Sequence, residues 1–421
     1  MDERTPVNTS DFLEEKIKTR PRNRRRIIRR AFEVAMLAML FGLVSCITMV
    51  LVSPILEEKL FPTPTNEVKF TEESAPYTKE EVQPEDMLLE ENEKEPGRED
   101  LFSDMIYFLK ESAASCKSWF VQVDGVSSAV SWLESTNTSS SSASGAIIAD
   151  NGTEFLVLVE RDCLLNADKI EVTFGDNSVA EGYLKGEDID AGLAVVAVPK
   201  GYLGEGTLEL CSVAEMVSSN SKSLVGSAVM AIGNPNGVRG SVIYGFITAN
   251  NVEVNSWDMN YNLITTDMYG VTNPNGFLVN LKGQLIGVLN NDYNTKEASN
   301  MITALGINEL KKKVERMSNA EEIAVLGVKG TGVTAEAHSA HGIPHGAYVL
   351  SVRLDSPAMR AGIQAGDIII KADDRDISSM YSLSYHLQQQ GVGDTVSVVI
   401  MRHSQGTYKE STLTIVLGSQ N

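Results

Sequence analysis

Histidine is the usual general base for a serine nucleophile, because its imidazole group titrates near neutral pH. The chain has five histidines, and none of them lies before residue 338. The β-rich stretch from residue 145 to residue 306 therefore contains no imidazole, so a serine there has no histidine to take its proton. The five are His338, His341, His345, His386 and His403.

Serine and lysine side chains offer a second route to a nucleophile, since a lysine with a lowered pKa can act as the base. Nothing in their spacing brings a suitable pair together here, and such residues on β-hairpins are usually solvated. An active serine endopeptidase with a rearranged site is therefore kept only as an alternative hypothesis. The residues considered for it are Ser241, Ser256, Lys222 and Lys282.

Acidic residues gather in two loops of the same stretch, where a metal ion would need histidine, cysteine or convergent carboxylate ligands. No histidine and no pair of cysteines accompanies them. We interpret them as charged turns, and we predict no metal and no other cofactor. The acidic residues are Asp176, Glu187, Asp188 and Asp190.

Cysteines are too few for a disulfide framework. Cys116, Cys163 and Cys211 follow the N-terminal apolar run, and one bridge among these three is compatible with the sequence, which does not choose the pair. Cys46 lies inside the apolar run, in LVSC, which also fits a bacterial lipoprotein cleavage site. Whether Cys46 is lipidated stays open.

The chain begins with a basic N-terminal segment, residues 1–33, which precedes the folded part. Positions 16 to 30 contain nine Lys or Arg and no acid. Residues 34–56 then contain no charge, and 23 residues at ~1.5 Å each span a hydrocarbon core of ~30 Å. We predict a single transmembrane helix with a cytoplasmic N-terminus and extracytoplasmic folded domains.

The charge of the whole chain is −20, from 36 Lys or Arg against 56 Asp or Glu, which argues against nucleic-acid binding. Residues 57–100 contribute fifteen acidic residues against five basic ones, with five prolines and little apolar periodicity. We predict an acidic, disordered linker that holds the folded part away from the membrane. Apolar residues return at helical spacing from Leu101.

Short β-branched runs broken by Gly, Asn and Asp fill the chain from Gly145 to about Gly306, as in EFLVLVE and LAVVAV. Several short strands at this spacing predict an all-β barrel or sandwich. NELKKKVERM then predicts one helix, and strands alternate with helical segments over residues 323–419. The second unit is therefore a compact α+β module.

Four segments resemble HtrA-type trypsin-like serine proteases that carry a C-terminal PDZ domain. AIGNPNGVRGSVIYGFITA (231–249) resembles their glycine-rich hairpin, and FLVNLKGQLIGV (277–288) resembles the strands after their nucleophile. NADKIEVTFGDN and DIDAGLAVVAV resemble the strands near their histidine and aspartate, and GAYVLSVRLDSPAMRAGIQAGDIIIKADDRDI is similar to the centre of a PDZ domain. The resemblance implies a mainly β fold, with a double β-barrel over residues 101–316 followed by a PDZ domain over residues 323–419.

The three catalytic positions of that family are not kept in this chain. The resemblance places the histidine position on Asp162, the aspartate position on Gly192 and the serine position on Pro274. Proline has neither a hydroxyl group nor a backbone N–H, and in this family that N–H is one of two oxyanion-hole donors. Losing one such donor costs a factor on the order of one hundred in rate. We therefore predict a degenerate protease body without a catalytic residue at these positions.

The PDZ resemblance implies a binding site for a peptide C-terminus, which is added as a strand while backbone N–H groups capture the carboxylate. Val325-Leu326-Gly327-Val328 matches the loop that makes this capture, with Val325 in place of the usual aromatic residue. The helix SMYSLSYHLQQQ should flank the groove. The predicted peptide-binding residues are Val325, Leu326, Gly327, Val328, Leu383, His386 and Leu387.

The leading hypothesis is a membrane-anchored, HtrA-like pseudoprotease of the bacterial envelope that binds peptides or unfolded proteins in quality control or signalling. The resemblance also implies a homotrimer, and a hetero-oligomer with an active paralogue is a further alternative. A third hypothesis treats the barrels as a rigid scaffold that presents the PDZ domain.

Overall fold

The computed structural model describes residues 98–129, 137–220 and 222–420, together with Met36 and Met39. Contacts divide the chain into two units, residues 1–92 and residues 93–421. The predicted basic segment, the predicted span at 34–56 apart from those two methionines, and most of the linker lie outside the described residues. Within the described part, no helix is both long enough and apolar enough to cross a membrane.

The first barrel closes six antiparallel strands in the order β1-β2-β3-β6-β5-β4. EFLVLVE forms β3 and LAVVAV lies in β6, where residues 193–198 are all buried, so both faces of that strand are covered. Helix α1 (Arg98–Ser115) precedes the barrel and begins ahead of the predicted boundary at Leu101, and α2 (Glu205–Leu210) follows it. The strands are β1 (Phe120–Ala129), β2 (Asn137–Asp150), β3 (Glu154–Glu160), β4 (Lys169–Thr173), β5 (Val179–Asp188) and β6 (Leu193–Pro199).

The second barrel closes in the order β10-β11-β12-β9-β8-β7 and ends in helix α3 (Ile307–Ser318), the helix predicted from NELKKKVERM. The two barrels meet through Trp119 and Phe277, whose rings lie edge to face with centroids 6.2 Å apart. The strands are β7 (Ala228–Asn234), β8 (Ser241–Asn255), β9 (Asn260–Tyr269), β10 (Asn275–Asn280), β11 (Leu285–Leu289) and β12 (Met301–Gly306).

The C-terminal unit is one sheet in the order β13-β14-β15-β17-β18, with β16 paired to β15, so β13 is an outer strand. Helix α5 starts at SPA, where Ser356 caps the Met359 N–H and Pro357 occupies the first turn. These elements confirm the predicted mainly β fold. The strands are β13 (Val328–Gly332), β14 (Ala347–Val352), β15 (Ile368–Ala372), β16 (Arg375–Asp376), β17 (Thr395–Ser404) and β18 (Thr407–Val416). The helices are α4 (Ala335–His341), α5 (Pro357–Ala361) and α6 (Met380–Leu387).

Helix α3 is fixed to the first barrel by a buried ion pair. Lys313 Nζ lies 2.7 Å from Asp188 Oδ2 at the end of β5, and their side chains are 7% and 0% exposed. Lys313 also donates to the Tyr261 hydroxyl at 3.2 Å. Burial alone would raise the pKa of Asp188, but the Lys313 ammonium holds it below its ordinary value. The same attraction raises the pKa of Lys313 against the opposing effect of burial.

Replacing Lys313 by Met keeps most of the side-chain volume and leaves Asp188 as an unpaired buried carboxylate. We expect a loss of ~3–5 kcal/mol in the free energy of unfolding, measured by urea denaturation at neutral pH. Because the folded-state pKa of Asp188 lies below 3.8, the wild-type contribution is present above pH 3.8 and is lost as the pH falls through the folded pKa. The difference between variant and wild type should therefore shrink in acid.

Lys312→Met is the matched control, because Lys312 is the neighbouring residue and reaches only the exposed Glu315. Its unfolding free energy should stay within ~0.5 kcal/mol of wild type. Equal stability of the two variants would show that the buried pair does not fix α3.

Candidate functional site

A small cleft between the two barrels contains the positions that the resemblance assigns to catalysis. Asp162 and Gly192 both line it, together with Asn275 and Gly276, which directly follow Pro274. The cavity has a volume of about 80 Å³. The structure thus brings two of the three predicted positions, and the neighbours of the third, to one place.

The turn at Pro274 is held by contacts that leave it little freedom. Pro274 is buried just before β10, and the Asn275 side chain accepts the Ser144 backbone N–H at 3.0 Å from the other barrel. Gly276 has φ 131°, and a Cβ added there would lie 2.1 Å from the Ile232 carbonyl oxygen. Only glycine fits at 276, because a side chain would meet backbone in a conformation that it rarely adopts.

Carboxylates dominate the chemistry of the cleft. Asp162 lies in a short 3-10 turn, Arg161–Leu164, directly after β3, and Glu160 and Asp292 line the same cavity. Burial, with Asp162 and Asp292 nearby, raises the pKa of Glu160 to about 7. Among the residues that line this cavity there is no Lys, Arg or His, so no cationic side chain borders the place where negative charge would develop.

The cysteine next to Asp162 does not supply a nucleophile. Cys163 is buried, its Sγ donates to the Glu160 carbonyl at 3.1 Å, and burial raises its pKa to about 12. Burial likewise raises the pKa of Cys116 to about 11. A thiol reacts as the thiolate, so both groups are inert at neutral pH. Among the described residues Cys116, Cys163 and Cys211 are all free, and no disulfide joins them.

The serines considered for a rearranged site have other partners. Ser241 donates to the Asn236 side chain at 2.6 Å, and Ser256 is buried beside Tyr293, to which it is hydrogen-bonded. Lys282 is exposed in the turn after β10, and the Lys222 side chain lies outside the described part of the structure. The structure therefore places neither serine in contact with Lys282.

Each acidic residue considered as a metal ligand also has a partner. Asp176 accepts from Thr207 at 2.6 Å and Glu187 pairs with Arg161 at 2.6 Å. Asp188 pairs with Lys313, as described above, and Asp190 pairs with Arg353 of the C-terminal unit. No group of three or more potential ligands converges within the described ranges.

The predicted carboxylate-binding loop in the C-terminal unit has the geometry that its sequence implies. Gly327 has φ 89°, and an added Cβ would lie 2.3 Å from Ser356 Cβ. The backbone N–H groups of Leu326, Gly327 and Val328 point to one place, at the start of the outer strand β13. Three convergent N–H groups form a binding site for an anion.

That place is occupied by the side chain of Asp258, from the hairpin between β8 and β9. Its Oδ2 accepts from Leu326 and its Oδ1 from Val328, while Gly327 donates to both oxygens, all at 2.8 Å. Burial raises the pKa of Asp258, and the N–H donors oppose that rise by favouring the ionised carboxylate.

Helix α6 flanks the same groove, but its predicted residues have different surroundings. Leu387 lines the groove together with Ser384, whereas Leu383 is fully buried in the core of the unit. His386 is 5% exposed, and its Nε2 lies 2.8 Å from Asp373 Oδ2, in the turn after β15. Asp373 therefore orients His386, which is not among the residues that line the groove cavity.

Sequence reasoning did not find Asp258 or the neighbouring Trp257. The segment NSWDMN has the composition of an ordinary polar hairpin turn, and no local pattern shows which surface such a turn contacts. The left-handed φ of 57° at Asp258, which Asp tolerates better than most residues, is visible only in the structure.

Comparison with known families agrees with both parts of this geometry. Residues 143–288 match the family model for the trypsin-like peptidase domain, and residues 320–416 match the model for the PDZ domain. The chain belongs to the HtrA-type family. The match to the PDZ model contains the Leu326–Val328 loop and α6, and the match to the peptidase model contains Asp162, Gly192 and Pro274.

Curated HtrA-type relatives include proteases from several bacteria. The chain is 30% identical over 268 residues to the "Probable periplasmic serine protease do/HhoA-like" of Haemophilus influenzae. The aligned region covers 62% of the chain and 55% of the relative. It is 26% identical to the "Serine protease Do-like HtrA" of Lactococcus lactis subsp. cremoris, over 71% of the chain and 76% of the relative. The chain spans about half the length of the relatives from H. influenzae and Rickettsia prowazekii.

Solved HtrA-type structures share the fold. "HtrA-type protease AlgW with decapeptide" superposes with a TM-score of 0.53 at 22% identity, over 74% of this chain and 99% of that one. "HtrA-type protease AlgW with tripeptide" gives a TM-score of 0.52 at 23% identity, over 74% and 97%. At this sequence identity the superposition shows a shared fold of barrels and PDZ domain and nothing about activity.

Proposed function

We propose that this HtrA-type chain is a membrane-anchored, extracytoplasmic pseudoprotease that binds the C-termini of peptides or unfolded proteins through its PDZ domain. It would act in protein quality control or signalling at the bacterial envelope. The observation that carries the proposal is the loop at Leu326, Gly327 and Val328, where three N–H groups hold a carboxylate at 2.8 Å. A peptide C-terminus presents the same group. The anchor at residues 34–56 rests on the charge and apolar pattern described above.

The acidic cleft supports the absence of peptidase activity. Hydrolysis through a serine needs a base beside the nucleophile and donors for the oxyanion. Pro274 offers neither a hydroxyl nor an N–H, and the barrels contain no histidine. Burial and its acidic neighbours raise the pKa of Glu160 to about 7, yet those neighbours, Asp162 and Asp292, would oppose a negative transition state.

The proposal predicts that the purified protein neither cleaves unfolded casein nor reacts with a fluorophosphonate probe of activated serines. Gel electrophoresis with fluorescence detection measures both, with trypsin as the positive control. Labelling or cleavage that disappears when one serine is replaced by Ala would overturn the pseudoprotease assignment and favour the rearranged active site.

The PDZ assignment predicts that binding depends on a free terminal carboxylate. Fluorescence polarisation with labelled decapeptides ending in Val, Leu, Phe or Ala should show binding, and the same peptides with amidated C-termini should bind at least ~10-fold more weakly, since a charged hydrogen-bonded group is lost. Gly327→Val should weaken binding to a similar extent, because its Cβ would lie 2.3 Å from Ser356 Cβ.

Gly391→Ala is the control for that variant. Gly391 has no left-handed φ, and the nearest atom to an added Cβ is a carboxylate oxygen of the exposed Asp394 at 3.3 Å. Equal binding of free and amidated peptides would contradict the carboxylate-capture role whether or not Gly327→Val folds.

We also propose that the chain assembles as a homotrimer, as its resemblance to the family implies. The exposed apolar side chains of α1 support a contact between chains, because large apolar residues at such density usually mark an interface. In sedimentation velocity, Phe102→Glu with Phe108→Glu should shift the protein from trimer to monomer. Tyr202→Glu, at another exposed aromatic residue, should leave the trimer intact, and a monomeric wild type would contradict the proposal. The side chains are Leu101, Phe102, Met105, Tyr107 and Phe108, each at least 50% exposed.

A further inference from the structure

The hairpin tip between β8 and β9 binds the PDZ groove with its backbone as well as with its carboxylate. The Asp258 N–H donates to the Val328 carbonyl oxygen at 2.7 Å. Trp257 forms an antiparallel bridge with Lys329 on β13. Because β13 is an outer strand of the sheet, the tip adds one bridged residue pair at that edge. Strand addition at a sheet edge next to a carboxylate loop is the way in which a PDZ domain takes a peptide.

Side chains of the tip border the groove. Met259 is anchored in the apolar core of the barrels, and with Trp257 it lines the space that also touches Ser384 and Leu387 of α6. The space that remains has a volume of about 20 Å³, which admits about one water molecule and no peptide side chain. A peptide residue and the hairpin tip therefore cannot occupy the groove together.

The conformation of the tip presents Asp258 to the loop. The Ser256 N–H donates to the Met259 carbonyl oxygen at 2.9 Å, which closes the turn between β8 and β9. Asp258 adopts a left-handed φ of 57° inside this turn. Its N–H and its carboxylate then face the same loop, whose N–H groups would otherwise need solvent or a ligand.

Further contacts hold the PDZ domain against the barrels around the tip. The guanidinium group of Arg353, after β14, lies 4.8 Å from the centre of the Trp257 ring and pairs with Asp190. Gln420 donates to Asp188 at 2.8 Å and accepts from the Ile189 N–H at 2.9 Å. Opening the groove therefore means loosening the docked position of the PDZ domain as a whole.

We propose that residues Trp257, Asp258 and Met259 form an internal ligand that closes the PDZ groove, with the Asp258 carboxylate in the place of a peptide's terminal carboxylate. A C-terminal peptide then binds only by displacing the hairpin tip, and its binding releases the PDZ domain from the barrels. This inference rests on the proposed function, since the hairpin tip would regulate the same peptide-binding loop. If the open form makes up about 10% of the molecules, closure weakens the apparent affinity ~10-fold.

Peptide affinity of hairpin variants tests this inference. Fluorescence polarisation with the labelled free-carboxylate decapeptides is measured on wild type, Asp258→Asn, Asp258→Ala and Asp374→Asn. Asp258→Asn keeps the side-chain size and removes the charge, whereas Asp374 is an exposed acid of the same domain and serves as the matched control. We expect both Asp258 variants to bind ~10-fold more tightly than wild type, and Asp374→Asn to bind as wild type does.

Amide hydrogen exchange of residues 326–328, measured without peptide, supplies a readout that a general loss of stability would not reproduce. Exchange at these three amides should speed up in the Asp258 variants, while exchange in the core strands β3 and β6 stays unchanged. Equal peptide affinity of wild type and both Asp258 variants would overturn the internal ligand and leave the proposed function standing. Failure of all four proteins to bind any peptide would instead overturn the proposed function, and this inference with it.

Discussion

The relation between the barrels and the PDZ domain depends on one carboxylate and three N–H groups. A charged side chain withdrawn from water is stable only when hydrogen bonds replace its hydration. Asp258 finds those hydrogen bonds in the loop at 326–328, and the loop finds an anion in Asp258. Each group satisfies a requirement of the other, so anything else that binds the loop must first return Asp258 to solvent.

The turn between β5 and β6 has a related role on the other side of the interface. In the family that this chain resembles, the turn holds the aspartate that orients the catalytic histidine, and the resemblance assigns that position to Gly192. Asp188 instead binds Lys313 of α3, and Asp190 binds Arg353 of the PDZ domain. Under the proposed function, a turn that no longer orients a base is free to hold α3 and the PDZ domain in place. The cleft and the docked domain are then connected through the turn between β5 and β6, residues 189–192.

Much of the fold was predictable because its signals are local. β-Branched runs predicted the strands, NELKKKVERM predicted helix α3, and the Gly327 loop follows from a short pattern. The contact between Asp258 and that loop joins residues 68 to 70 positions apart, so no local pattern encodes it. His386 shows the same limit on a smaller scale, because helical spacing placed it near the groove while Asp373 orients it elsewhere.

An internal ligand lowers the apparent affinity of a PDZ groove for every external peptide. Because the hairpin belongs to the same chain, its effective concentration at the loop is on the order of millimolar, and no external peptide competes on equal terms. A ligand that displaces the tip must replace the carboxylate contacts of Asp258 and compensate for the lost pairing of Trp257 with Arg353. Every C-terminus therefore binds more weakly than it would bind an open groove, by the fraction of molecules that are open. The hairpin tip thus competes with every peptide for the loop at 326–328, and the sequence of the tip sets how strong that competition is.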